Sequence, residues 1–326
     1  MRRIMTVALA AAVTIMLASC GSSSTTSSST TSLESASAPA TTSPTGVVTI
    51  TAADVPAPTP LTPTIAADAP TRIVSLATGV GETLAALGVG DRVVGRDETS
   101  DVPEIHDAPV VTKAHATSAE KVLSLDPDLV IVDATTAPAE ALTQIRDAGI
   151  TVVEVPEAWT LNDIGPRTRA VAAAVGVSAA DAETVIAEAM TSSSASPAAS
   201  PPRVAFLYLR GTSAIYLVGG QGSGADALIA AAGSVDAGAE AGLAAFVPLT
   251  AESVATLDPD VILVMTKGLE SVGGIDGLVG LPGVAQTKAG KDGRVVAVDD
   301  TLLLSFGPRT GNLVDALRAA IGTSAT

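Results

Sequence analysis

From residue 72 onward, short β-branched runs alternate with longer stretches whose apolar positions recur at helical spacing. Residues 72–76 (RIVSL) read as a strand and 81–87 as a helix. Residues 128–132 read as a strand, 137–147 as a helix and 151–155 as another strand. That alternation predicts βα units around a mainly parallel sheet, an α/β fold.

One unit recurs. Residues 118–132 (SAEKVLSLDPDLVIV) and 250–264 (TAESVATLDPDVILV) share eight of fifteen positions. Each reads as a helix, a Leu-Asp-Pro-Asp turn and a buried strand, the proline ending the helix by disfavouring helical angles in the residue before it. A weaker echo joins residues 79–84 to 222–228. Two occurrences at so long a period describe two lobes of one plan, not a solenoid. Between them lie two Ala-rich stretches, 161–175 and 178–190, the second with Ala180, Ala182, Val185, Ile186 and Ala189 at helical spacing. The first lobe then spans 70–160, the helical connection 161–202 and the second lobe 203–326. The connection reads as one long backbone helix joining the lobes, or as a helix packed inside one of them.

The first seventy residues have another character. Arg2 and Arg3, an apolar run from Ile4 to Leu17 and small residues before Cys20 describe a secretory signal over residues 1–19, too short for a spanning helix. Leu17-Ala18-Ser19-Cys20-Gly21 resembles a bacterial lipobox, which implies that Cys20 is lipidated and anchors the chain on the extracytoplasmic face of the cell membrane. Residues 20–69, rich in Ser, Thr, Ala and Pro, bury too little apolar surface to offset ordering and are expected to form a disordered tether.

Composition removes whole classes of function. With 34 acidic and 18 basic side chains the net charge is −16, or −18 once Arg2 and Arg3 leave with the signal, so no nucleic-acid partner is expected. One cysteine excludes an internal disulfide, and two histidines exclude a multi-histidine zinc site. There is no Gly-x-Gly-x-x-Gly after a strand, no Walker loop and no Gly-x-Ser-x-Gly, and no Ser–His–Asp arrangement, so an enzyme is not expected.

Signal, tether, two α/β lobes sharing the Ala-Glu-x-Val…Leu-Asp-Pro-Asp motif and a joining helix together resemble the class III periplasmic-binding proteins, the substrate-binding lipoproteins of ABC importers for haem, siderophores and vitamin B12. The resemblance covers residues 71–321. It implies two Rossmann-like lobes joined by a single long backbone helix, a monomer, and an ABC permease as partner. It also implies that Glu120 and Glu252, equivalent in the two copies, dock on permease arginines. Both are equally explained as first-turn helix acids behind the caps Ser118 and Thr250.

His115 follows a strand-like run in the first lobe, at the sheet edge where α/β proteins place ligands. In the second lobe, period-2 alternation puts Phe206, Tyr208 and Arg210 on one strand face. Imidazole and phenolate are both axial ligands of haem iron, and a neighbouring guanidinium favours a phenolate. Residues 112–115 (TKAH) and 206–211 (FLYLRG) resemble the actinobacterial haem-binding subfamily, which implies haem as transported ligand, His115 and Tyr208 as axial ligands and Arg210 supporting the tyrosine. Tyr216 is the competing tyrosine, placed on the return strand of a hairpin. Arg309 either meets a haem propionate or complements the last helix, and His106 is expected to be solvated. A siderophore or cobalamin is the alternative cargo.

Overall fold

A four-residue β-branched run near the start of the described chain, Val47–Ile50, forms the first strand, β1. The computed structural model describes residues 46–113, 116–192 and 200–324. Cys20, the signal-like segment and His115 therefore lie outside the described residues. The described residues belong to one compact unit, within which Glu82 of the first lobe bonds Arg309 of the second.

The first lobe contains β2 (Ile73–Ser75), α1 (Val80–Ala86), β3 (Val93–Arg96), the short β4 (Thr112–Lys113) and β5 (Ala116–Thr117), α2 (Ala119–Ser124), β6 (Leu129–Val132), α3 (Ala139–Asp147) and β7 (Thr151–Glu154). Its sheet has the order β3-β2-β6-β7, all parallel. Two helices follow, α4 (Leu161–Ala174) and α5 (Ala179–Ala189). The second lobe holds β8 (Arg203–Arg210), β9 (Ile215–Gly219), α6 (Ala225–Ala231), β10 (Val235–Asp236), α7 (Ala237–Glu240), β11 (Phe246–Pro248), α8 (Ala251–Leu257), β12 (Val261–Met265), α9 (Thr266–Ser271), α10 (Gly274–Val279), α11 (Lys288–Asp292), β13 (Val295–Val298) and α12 (Thr310–Ser324). Its sheet runs β1-β13-β12-β8-β9-β11, with β10 beside β8; β1, β13, β12, β8 and β10 pair in parallel, and β9 runs antiparallel to both its neighbours, β8 and β11.

The repeated motif has the same geometry in both lobes. The helices α2 and α8 run into Asp126 and Asp258, both left-handed with φ of 47° and 38°. The next aspartate then ties down the neighbouring strand: Asp128 Oδ1 accepts the Arg72 N–H at 3.1 Å, and Asp260 Oδ2 accepts the Arg203 N–H at 3.0 Å. The strands that follow, β6 and β12, are buried along their whole length, as continuous apolar runs are when helices cover both faces of a parallel sheet.

Two expectations change. The helical connection is divided: α4 ends at Val175, and Gly176 takes φ +69° before Ser178 caps α5. The pair spans both lobes, since Ile164 and Ala189 belong to the second lobe's core while Val171, Val175, Ala182 and Val185 belong to the first lobe's. The second change concerns the tether, which was expected to run to residue 69. From residue 46 the chain is ordered instead, with β1 paired to β13 at the edge of the second lobe's sheet. The chain then crosses to the first lobe, where the Leu61 N–H donates to Ala86 O, Ile65 bridges Val177, and Asp181 Oδ2 accepts the Thr64 N–H at 2.8 Å. Pairing with an existing sheet edge and with helix ends supplies the partners that a Ser/Thr/Pro-rich segment lacks by itself. Among the described residues no helix is long and apolar enough to cross a membrane.

Candidate functional site

The parallel strands of both sheets end in loops that face one another. Gly79, beyond β2, lies so close to the second lobe that a Cβ there would stand 2.1 Å from the Ser305 carbonyl oxygen, and its φ is +77°. Space and backbone both demand glycine. In the first turn of α1, Glu82 reaches Arg309 at the foot of α12: Arg309 Nη2 donates to Oε2, and the Arg309 backbone N–H to Oε1, each at 3.0 Å. Both side chains are 4% exposed. Arg309 Nη1 also donates to Val55 O at 3.4 Å. Arg309 is thus part of the lobe contact and not a group presented to a propionate; it stands just ahead of α12, where Glu82 and not the helix dipole is its partner.

Arg167 of α4 lies beside this contact, donating to Ser305 O at 3.3 Å. Burial pushes its pKa down, against the opposing pull of Asp133, Asp97, Glu82 and Glu157. Asp97, just beyond β3, is pushed up by burial despite hydrogen bonds from Ser100 and Thr99. The floor between the lobes is therefore a buried, mainly acidic network around two arginines.

On β8 the alternation holds. Phe206 and Tyr208 pack on one face of the second sheet, where Phe246 meets both rings edge-on at 6.4 and 5.8 Å. Tyr208 is half-buried, on the rim of that apolar cluster. The Arg210 guanidinium stands over its ring, 4.5 Å from the centroid. Arg210 is held in turn by Asp300 at 3.4 Å, and Asp300 also accepts the Lys267 N–H at 2.9 Å. The stacked guanidinium holds the ring in place at the end of the strand. Gly211 and the turn after it return the chain as β9, which pairs Leu209 with Tyr216. Tyr216 packs against the opposite apolar layer, with Leu207 and Leu209 among its members, so the two tyrosines lie on different faces.

The described residues flanking His115 belong to a small antiparallel pair, Thr112 opposite Thr117 and Lys113 opposite Ala116. This pair continues from Val111, whose N–H donates to Arg96 O at the end of β3. His106 is exposed and meets Asp101 at 2.7 Å. Glu120 and Glu252 are both exposed, each in the first turn of its helix, behind the caps Ser118 and Thr250. Both readings of these glutamates survive this geometry.

Sequence reasoning passed over Asp300, Glu82 and Arg167. Position gives the available signal: Asp300 stands two residues past the end of β13 and Glu82 on the helix that follows β2, where α/β folds assemble their sites.

Residues 73–302 match the model of a family described as periplasmic binding proteins. Among solved structures, the chain is similar to the periplasmic haem-binding protein RhuT from Roseiflexus sp. RS-1, with 40% identity and a TM-score of 0.72 over 78% of this chain and 99% of that one. It is also similar to the haem-binding protein HmuT, with 33% identity and a TM-score of 0.72 over 86% and 99%. Further solved forms of HmuT carry alanine in place of a tyrosine, of the arginine two positions after it, or of a histidine. Among curated proteins, the cobalamin-binding protein of Halobacterium salinarum is 29% identical over 254 residues, 74% of this chain and 66% of its own length. The uncharacterized ABC transporter substrate-binding lipoprotein YvrC of Bacillus subtilis is 39% identical over 98 residues, 29% of this chain. The chain spans about a third of YvrC, 31% of its length.

Proposed function

Because the chain belongs to the periplasmic binding protein family, we propose that it is the substrate-binding component of an ABC importer and that its cargo is haem. It performs no chemistry on the cargo. Lipid on Cys20 holds it at the extracytoplasmic face, and Glu120 and Glu252 engage basic groups of the permease, as paired exposed carboxylates on two lobe tips can register an arginine-bearing partner.

The observation that carries the haem reading is the stack of Arg210 on Tyr208, 4.5 Å from ring centroid to guanidinium, backed by Asp300. A tyrosine oxygen is an axial ligand of haem iron, and the stacked guanidinium fixes the ring that carries it. The Tyr-x-Arg spacing of Tyr208 and Arg210 is that of the tyrosine and arginine replaced in the HmuT variants. His115, from the other lobe, is the second axial ligand in this reading. Tyr216, on the far face of the sheet, is not in position to share the site with Tyr208.

Cobalamin is the second reading, favoured by the Halobacterium relative. The Tyr208–Arg210 pair weighs for haem, because a tyrosine oxygen is an axial ligand of haem iron and the spacing is that of the HmuT tyrosine and arginine. Titrating the purified protein with hemin tests the proposal. A saturable Soret shift is expected in the wild type and is lost in Tyr208→Ala with His115→Ala. No spectral change in the wild type overturns it.

A further inference from the structure

The chain has a single tryptophan, and it stands where the lobes meet. Trp159 lies between the end of β7 and the cap of α4, on the loop leaving the first lobe's sheet. Its indole N–H donates to Glu157 Oε2 at 2.6 Å, and its backbone N–H to Asp163 Oδ2 at 3.2 Å. Ring and backbone are thus both fixed by the segment that links β7 to α4.

The other edge of the ring lies on the second lobe. A Cβ at Gly224 would stand 3.3 Å from Trp159 Cε3, 3.3 Å from Leu304 Cδ2 and 3.1 Å from Phe306 Cε2. Gly224 also has φ +83°, so glycine is required twice over, and its missing side chain is what lets the indole close on this loop. Trp159 and Leu304 are both half-buried. Ala158 belongs to the same apolar cluster as Phe306, and Leu304, Tyr208 and Phe246 are its partly exposed members. Trp159 therefore meets, around Gly224, the Leu304 and Phe306 side chains of the apolar cluster on whose rim Tyr208 also packs.

We propose that Trp159 is a ligand-contacting residue that sets specificity for a flat tetrapyrrole, forming with Leu304 an apolar wall, beside the acidic floor, against which the macrocycle rests. This rests on the haem reading above. The only polar group of the indole is already bonded to Glu157, so what the ring offers a ligand is rigid apolar surface with no donor left to satisfy. Large flat aromatic surface of this kind gives binding area at little cost in rotamer freedom. In a chain with 2% aromatic residues, one such ring at the lobe junction is a substantial share of what can contact a porphyrin face or edge.

The test is a hemin titration of wild type, Trp159→Ala, Trp159→Phe and Leu304→Ala, with thermal unfolding of each ligand-free protein alongside. Trp159→Ala is expected to weaken binding on the order of tenfold at an unchanged Soret position, because the axial ligands are untouched. Trp159→Phe retains a flat ring and stays within about threefold, and Leu304→Ala weakens binding in the same direction. Binding by Trp159→Ala within twofold of the wild type overturns the inference. If that variant does not fold, unchanged binding by Leu304→Ala overturns it equally. A wild type with no Soret shift removes the haem reading and this inference with it, whereas wild-type binding with unaffected variants removes this inference alone.

Discussion

Glu82 and Arg309, 227 residues apart in sequence, form an ion pair at 3.0 Å that joins the first lobe to the second with both side chains almost fully buried. A buried pair adds little net stability over an apolar one, but removing a single partner strands a charge in a low-dielectric site. Glu82→Ala and Arg309→Ala are each expected to lower unfolding free energy by about 3–5 kcal/mol. The double variant should lose clearly less than the two losses added. Urea denaturation of the three variants checks this, and additive losses would show that the two groups do not depend on one another.

Asp300 holds Arg210 over Tyr208 without touching the ring itself. Asp300→Ala should leave the fold intact and weaken hemin binding by roughly three- to tenfold, the loss of one charge-assisted contact worth about 1 kcal/mol. The loss should be smaller than that of Arg210→Ala. Parallel absorbance titrations distinguish the two, and an Asp300 variant as tight as wild type would show that Arg210 needs no support.

Burial pushes the Asp236 carboxyl up to about 6, and the neighbouring Asp226 charge adds to the shift, against the opposing hydrogen bond from the Ala239 N–H. A group raised on folding holds its proton more tightly in the native state. Its contribution to stability is full below about pH 4 and is lost as pH rises through 6. The shift corresponds to about 3 kcal/mol between those limits. Asp236→Asn keeps a cap for α7 and removes the titration, so it should stabilise the protein at pH 7.5 and change it little at pH 4. Unfolding curves at the two pH values are the measurement.

The segment from residue 46 to 66 is a second crossing between the lobes, besides α4 and α5. Proline at Val48, which pairs with Val296, removes a ladder donor inside β1. The expected cost is about 3 kcal/mol, with faster proteolytic cleavage before residue 70. Limited proteolysis of Val48→Pro beside wild type reads this directly; identical cleavage rates would mean that β1 does not secure the crossing.

Much of this architecture is legible in the chain itself. On β8, Phe206 and Tyr208 share the face that their alternation predicts, because successive side chains of a strand point to opposite sides. The two Leu-Asp-Pro-Asp turns announce the repeated lobes, since aspartate, proline and a buried β-branched run are local requirements. What escapes is non-local. Val47-Val48-Thr49-Ile50 is a strand only because β13 offers it an edge, and its Ser/Thr/Pro-rich surroundings mask so short a run. Glu82 and Arg309, Arg210 and Asp300, and Trp159 and Gly224 each become partners through topology alone. The Gly176 break was visible as a glycine between two helical stretches, yet nothing in the spacing says that the second helix folds back along the first.

Cargo identity is the central claim, and equilibrium dialysis against equimolar hemin and cyanocobalamin tests it most directly. After dialysis, the tetrapyrrole retained by the protein is extracted and measured by absorbance. The account predicts hemin at about one per protein, its retention reduced at least tenfold in Tyr208→Phe, and no cobalamin above the no-protein control. Retained cobalamin with no hemin would contradict it.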